Sequence, residues 1–225
     1  MLCIAYANEM ADACLSLSYP IDPFEVSRAA ATKPFGYLPF YPSAGVGGDC
    51  IPVNPGYLFS TSAFPVLEVA TERMRGRPAR LADRAMKVLQ QREYEFANAN
   101  VKIGNSDADA DLDSNSAIKL APAKRQKILV VGVAFKSGQA LTTNSPAVGI
   151  IKRLLDSWDA HVTFADPLVS EQALPYVPRL DEGREWNVLH LNTFDAIIVV
   201  MKQEGLDFDV LDELEKQVVI VRYCQ

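Results

Sequence analysis

The chain has 225 residues, of which 49% are hydrophobic and 22% charged, and carries a formal net charge of −6. This composition fits a globular protein of one or two domains, with no basic patch for nucleic acid and no apolar run of the ~18 residues that a membrane span needs. Four scattered cysteines make neither a disulfide framework nor a zinc cluster, and the N-terminus lacks the positive region of a signal peptide, so reduced thiols in the cytoplasm are expected.

Residues 2–18 predict a helix: Leu2, Ala5, Met10, Ala13 and Leu17 recur among Asn8, Glu9 and Asp12, and no Gly or Pro intervenes before Pro20. It opens at Met1 without a cap, as a longer helix entered midway would. Tyr19-Pro20-Ile21-Asp22 predicts a turn. Asp22, Pro23 and Glu25 then supply a cap, a first-turn proline and a capping box for a helix to about Ala31. Residues 33–57 form a long Gly/Pro/aromatic loop, a length that is usually functional. Helical periodicity returns over 61–96, through Val66, Val69, Ala70, Met74, Leu81, Ala85, Val88 and Leu89, with a break or kink at Gly76 and Pro78. Residues 98–126, with Asn105-Ser106-Asp107-Ala108-Asp109-Ala110-Asp111, read as an acidic flexible linker.

A second unit starts at Lys127. The unbroken run Ile128–Phe135 predicts a fully buried strand, and Ser145-Pro146 caps and opens a helix to about Trp158. His161–Ala165 predicts a strand closed by Asp166-Pro167, Phe194–Met201 holds a third, and Val218–Val221 a fourth. Strand, helix, strand at this spacing gives a parallel sheet, whose ligands bind beyond the carboxyl ends of the strands. The fold class is therefore α/β, with three parts: a helical unit over 1–97, the linker over 98–126 and a small α/β unit over 127–225.

The stretch Gly45-Val46-Gly47-Gly48-Asp49-Cys50-Ile51-Pro52 places a thiol after a Gly-rich loop and before a proline-stiffened turn. Glycines let backbone approach a ligand and proline fixes the geometry, so Cys50 is either a presented nucleophile or a buried, inert thiol. Cys3, Cys14 and Cys224 are assigned the inert role. Gly45, Gly47 and Gly48 either admit a ligand or make a surface turn, and Phe40-Tyr41-Pro42-Ser43 either contacts a ligand or packs. Lys136, at the end of the first strand, either meets an anion or is solvated; Asp166 either accepts from a ribose hydroxyl or caps. His161 and His190 have no metal-ligand spacing and are assigned to structure, as are the indoles of Trp158 and Trp186.

The chain resembles the UDP-glucose/GDP-mannose (nucleotide-sugar) 6-dehydrogenase family, and within it the branch acting on UDP-N-acetylhexosamines. The resemblance rests on Ala7-Asn8-Glu9, Ala30–Pro42, Gly45–Val53, Gly132-Val133-Ala134-Phe135-Lys136, Ser145-Pro146-Ala147 and Asp166-Pro167. It implies a helical middle domain that also makes a homodimer, followed by a Rossmann-like domain over 127–225 binding the nucleotide of the sugar substrate. It implies NAD-dependent oxidation at C6 to the uronic acid, in which Cys50 captures the aldehyde as a thiohemiacetal and carries the later thioester. Phe40, Tyr41, Ser43, Gly45, Gly47, Gly48 and Lys136 take the places of substrate contacts. The family's NAD domain is expected to lie outside this chain, since no Gly-x-Gly-x-x-Gly follows a strand. Three departures stand out. Asn54 replaces the family's Asp four residues after the cysteine, and an amide cannot take a proton. Asp49 sets an anion beside the thiol, which works against the thiolate. Thr143 replaces the arginine that contacts cofactor. The expected alternative to an enzyme is a non-catalytic, nucleotide-sugar-binding or dimer-forming relative.

Overall fold

The computed structural model describes residues 1–19, 21–32, 40–104 and 125–224. Helices fill the first part. Helix α1 (Leu2–Ser16) buries Ala5, Ala7, Asn8, Ala11 and Cys14, small side chains three and four apart that permit close packing. Helix α2 (Pro23–Ala31) starts as its sequence predicts: the Asp22 carboxylate accepts from the Phe24 amide at 2.9 Å and Pro23 opens the first turn. A short helix α3 (Asn54–Phe59) lies within and beyond the end of the expected loop. The periodic stretch 61–96 becomes two helices, α4 (Pro65–Arg75) and α5 (Arg77–Gly104), parted at Gly76. Helix α5 continues past residue 98, the expected start of the linker, and residues 105–124 lie outside the described residues.

The second part is one parallel sheet. Its elements follow in the order β1 (Lys127–Val131), α6 (Pro146–Trp158), β2 (His161–Ala165), α7 (Glu182–Glu185), α8 (Val188–Leu191), β3 (Ala196–Val199) and β4 (Val219–Arg222). The strands lie in the order β2-β1-β3-β4, all parallel. Side chains alternate between faces. Ile128, Val130, Val162, Phe164, Ala196 and Ile198 face α6 and the Leu81, Ala82, Ala85, Met86 and Leu89 stripe of α5 in one continuous core. Leu129, Val131, Ala165, Ile197 and Val199 face the other side, against Leu180, Leu191 and Leu211. Helix α5 of the first part is thus a covering layer of the sheet. A bidentate pair between Asp83 and Arg153, at 2.8 and 3.0 Å, and the Trp158 indole donating to Asp83 at 2.8 Å join α5 to α6. Among the described residues no helix is long and apolar enough to cross a membrane.

Tyr223, just beyond β4, ties the sheet to α5 by donating to the Leu81 carbonyl at 2.7 Å. Burial pushes this hydroxyl up to about 12 from an ordinary 10.0. Because the folded value is the higher one, the contribution is complete below about pH 10 and is lost as pH climbs towards 12. Two pKa units correspond to roughly 2–3 kcal/mol. Tyr223→Phe should lose about 1 kcal/mol at neutral pH and flatten the fall in stability above pH 10. Urea titrations at several alkaline pH values check this; an alkaline limb identical to wild type would contradict it.

Candidate functional site

The crevice of this sheet lies where β1 and β3 run side by side while their crossovers leave in opposite directions. Strand β1 stops at Val131, short of its apolar run, because the chain turns at Gly132 (φ +77°). The two residues after that glycine give their amides to one side chain: Val133 at 2.9 Å and Ala134 at 3.1 Å both donate to Asp166 Oδ2. Asp166 is fully buried at the end of β2, and its Oδ1 also accepts from the Leu168 amide at 3.1 Å. Gln203 Nε2 reaches both carboxyl oxygens, at 3.2 and 3.4 Å. Neither role expected of Asp166 is what the structure shows: no helix starts beside it, and its oxygens are spent on the amides after β1, on the Leu168 amide in the turn after β2 and on Gln203. Gln203 also donates to the Gln139 carbonyl at 3.0 Å and accepts from the Gly138 amide at 2.8 Å, which fixes the loop carrying Lys136.

The Cys50 loop is anchored from two sides. On the helical side, buried Asn8 accepts from the Ser43 amide at 2.7 Å, and Arg77 Nε donates to the Ser43 carbonyl at 2.9 Å. Arg77 is itself buried and pairs with Asp12 at 2.9 Å. Burial pulls its guanidinium below the ordinary arginine value, with the Asp12 carboxylate opposing that pull. Ser43 Oγ donates to the Gly45 carbonyl at 3.0 Å, and the Phe40 carbonyl accepts from buried Ser27 at 3.3 Å. On the sheet side the loop closes on protein. A Cβ at Gly47 would stand 2.8 Å from Phe135 Cβ, and one at Gly48 2.9 Å from the Phe135 ring. The Gly48 amide donates to the Thr143 carbonyl at 2.9 Å, and Asn144 Nδ2 donates to the Gly48 carbonyl at 3.0 Å.

Cys50 is exposed in the turn that follows, and its carbonyl accepts from the Asn54 amide at 2.9 Å, so Asn54 opens α3 one turn later. The Cys50 thiol is not buried among apolar side chains. Tyr41, Ser43 and Gly45 meet Phe24, Phe135 and Cys224 around a cleft of about 250 Å³ at the tip of β1 and β3. Lys136 and Cys50 do not line that cleft; both are solvent-exposed, Lys136 next in sequence to Phe135 of its wall and Cys50 five residues beyond Gly45. Thr143 is exposed and reaches the Cys50 loop only through its carbonyl. Lys33, the cation nearest Cys50 in sequence, lies outside the described residues. Cys14 is buried as expected of an inert thiol, and burial pushes the half-buried Cys224 up; Cys3 departs from that expectation, since it lies on the exposed side of α1. Arg77, Asp12 and Gln203 were not marked out by the sequence: each works through partners tens of residues away, and no local pattern distinguishes them.

Two family models match. The UDP-glucose/GDP-mannose dehydrogenase family central domain covers residues 1–72, and the UDP binding domain of the same family covers residues 129–223. Among solved structures, the UDP-D-ManNAc dehydrogenase of Pyrococcus horikoshii is similar at 22% identity and TM-score 0.67, over 99% of this chain and 44% of its own. The UDP-N-acetyl-mannosamine dehydrogenase Cap5O of Staphylococcus aureus is similar at 19% identity and TM-score 0.64, over 99% and 48%. The UDP-glucose dehydrogenase of Pyrobaculum islandicum is similar at 20% identity and TM-score 0.63, over 100% and 44%. At these identities the likeness is one of fold, and the chain spans less than half the length of each. A search of curated proteins found no match.

Proposed function

Because the chain belongs to the UDP-glucose/GDP-mannose dehydrogenase family, we propose that it serves the NAD-dependent oxidation of a nucleotide sugar, a UDP-hexose or UDP-N-acetylhexosamine, at C6. Cys50 is the nucleophile and the sheet unit holds the nucleotide. The observation that carries this is the docking of the Cys50 loop on the sheet unit, through Gly48, Thr143 and Asn144. It sets an exposed thiol beside the carboxyl ends of the strands, where such sheets take their ligands.

The chemistry assigned to this chain is capture of the C6 aldehyde. The Cys50 thiolate adds to the aldehyde carbon and a C–S bond forms. The π pair moves to oxygen, which takes a proton, leaving a thiohemiacetal that cannot diffuse away. Asn54, one helical turn on, orients water through its amide without taking its proton. Tyr41, Ser43 and Gly45, with Phe40, Gly47 and Gly48 behind them, wall the sugar side; Lys136 meets phosphate as a mobile point charge. A second copy of the chain covers the exposed apolar side chains of the helical part, Tyr6, Tyr57, Val66 and Val69. The cytoplasm, where thiols stay reduced, suits a mechanism that needs a free Cys50.

NAD does not fit this sheet. A dinucleotide pyrophosphate needs free amides at the first strand–helix turn. Here the Val133 and Ala134 amides are given to Asp166, and bulky Phe135 follows. We therefore place the dinucleotide outside this sheet and draw no step through it.

Asn54 in place of an aspartate favours a second reading, a binder of nucleotide sugars without turnover. Two measurements separate the readings. UDP-sugars should raise the melting temperature in wild type and in Cys50→Ala alike. A nucleotide sugar carrying an aldehyde at C6 should slow alkylation of Cys50 by iodoacetamide at least tenfold. Stabilisation without protection would select the binder. No stabilisation by any UDP- or GDP-sugar would overturn both.

A further inference from the structure

We propose that Asn144 is a positioning residue whose side-chain amide sets the place of Cys50 against the sheet unit, an inference that rests on the role given to Cys50 above. Three consecutive residues at the mouth of α6 divide the work. The Thr143 carbonyl takes the Gly48 amide at 2.9 Å, Asn144 Nδ2 holds the Gly48 carbonyl at 3.0 Å, and Ser145 caps α6 through the Ala147 amide at 3.2 Å. Gly48 is thereby held on both sides, amide and carbonyl, two residues before the thiol.

The backbone geometry explains why an asparagine stands there. Asn144 has φ +49°, a left-handed conformation that asparagine tolerates better than most side chains. From it the amide crosses the gap between the two parts of the chain, 96 positions back in sequence. The far side of the contact is equally constrained. Gly48 has φ +83° and sits 2.9 Å, by an ideal Cβ, from the Phe135 ring, so the loop has no room to approach more closely or to rotate about that residue. The platform it docks on is stiff as well: the Phe135 amide donates to the Leu141 carbonyl at 2.9 Å and the Ser145 amide to the Thr142 carbonyl at 3.0 Å, closing the loop into a short clasp. Cys50 itself is exposed and makes no side-chain hydrogen bond among the described residues. Its position is inherited from Gly48, and the only side chain that bonds the Gly48 peptide among the described residues is Asn144.

Two substitutions separate the amide from the backbone conformation. Asn144→Gly keeps the left-handed φ and deletes the donor. Asn144→Asp keeps the size and replaces the donor with an acceptor. Hydrogen exchange of the segment 44–54 and iodoacetamide labelling of Cys50 are read by peptide mass, with exposed Cys3 on the same chain as reference. Both variants should exchange at least fivefold faster over 44–54 and shift the Cys50-to-Cys3 labelling ratio at least threefold, with exchange in β1 and β3 unchanged. Wild-type values in Asn144→Gly would overturn the proposal, since backbone conformation alone would then suffice. Faster exchange throughout the sheet in both variants would overturn it too, by making Asn144 a general structural residue. Failure of UDP-sugars to stabilise the wild type would sink the nucleotide-sugar function while leaving the exchange result to judge the Asn144 contact by itself.

Discussion

Asp166→Ala should destabilise the protein by about 4 kcal/mol or more, a large share of the 5–15 kcal/mol that holds a typical domain together. The side chain is fully buried and serves the amides of Val133, Ala134 and Leu168 together with Gln203 Nε2. Alanine leaves two buried backbone donors, at Val133 and Ala134, without an acceptor, and a third at Leu168 that is only partly buried. Each such orphan costs about 1–3 kcal/mol. Gln203 suffers less, because its amide retains the Gln139 carbonyl at 3.0 Å. Relief from burying a carboxyl group offsets part of the loss, which keeps the expectation near the lower end of the sum. Asp166→Asn should be milder, since one oxygen survives as acceptor. Urea denaturation of the three proteins, with the m-value as a check on two-state behaviour, decides it. An Asp166→Ala midpoint within about 1 kcal/mol of wild type would mean that water or a rearranged chain replaces the carboxyl. The result bears on function as well. Asp166 uses up the amides at the tip of β1, so a variant that frees them alters the surface offered to any anion.

What the sequence disclosed about this fold was local. Ser145 and Pro146 announce α6, and Asp22 and Pro23 announce α2, because a cap acts on an amide two residues away. The apolar runs of β1 and β3 announce those strands because a strand covered on both faces needs no polar partner. Strand ends were harder. The run Ile128–Phe135 is unbroken, yet β1 stops at Val131, since the next amides turn to a carboxyl group more than 30 residues on. The thiol at Cys50 was legible as a candidate because glycines and prolines frame it. What those glycines do was not: Gly47 and Gly48 close on Phe135, almost 90 positions away in the chain. Arg77 lies beyond such reading for the same reason. It sits among Arg73, Arg75, Arg80 and Arg84, and only the fold singles it out for burial against Asp12 and Ser43. Composition and spacing thus singled out one thiol, while long-range hydrogen bonds determine how its loop is held.

Gly132→Ala and Gly56→Ala should act in opposite directions, although both replace one hydrogen with a methyl. Gly132 has φ +77°, and an ideal Cβ there would lie 2.1 Å from the Met201 carbonyl oxygen and 2.9 Å from its carbon. Those atoms are backbone, so no side chain can swing aside to make room. Nor is the backbone free to retreat. The Gly132 amide donates to the Ala165 carbonyl of β2 at 2.9 Å and the Val200 amide to the Val131 carbonyl at 2.9 Å, so a retreat of the chain at Gly132 disturbs the pairing of β1 with the strands on both of its sides. Left-handed strain adds about 1–2 kcal/mol and a clash against fixed atoms about 1–3 kcal/mol or more, which lowers the melting temperature of a chain this size by roughly 10 °C. Gly56 lies inside α3 with nothing within 4 Å of its Cβ position. There alanine relieves the glycine penalty in a helix, and a gain of up to about 1 kcal/mol is expected. Thermal unfolding of the two variants beside wild type tests the pair. Equal effects would mean that the turn at Gly132 relaxes by opening β1 from β3, and the crevice between them would then be a movable feature of the sheet.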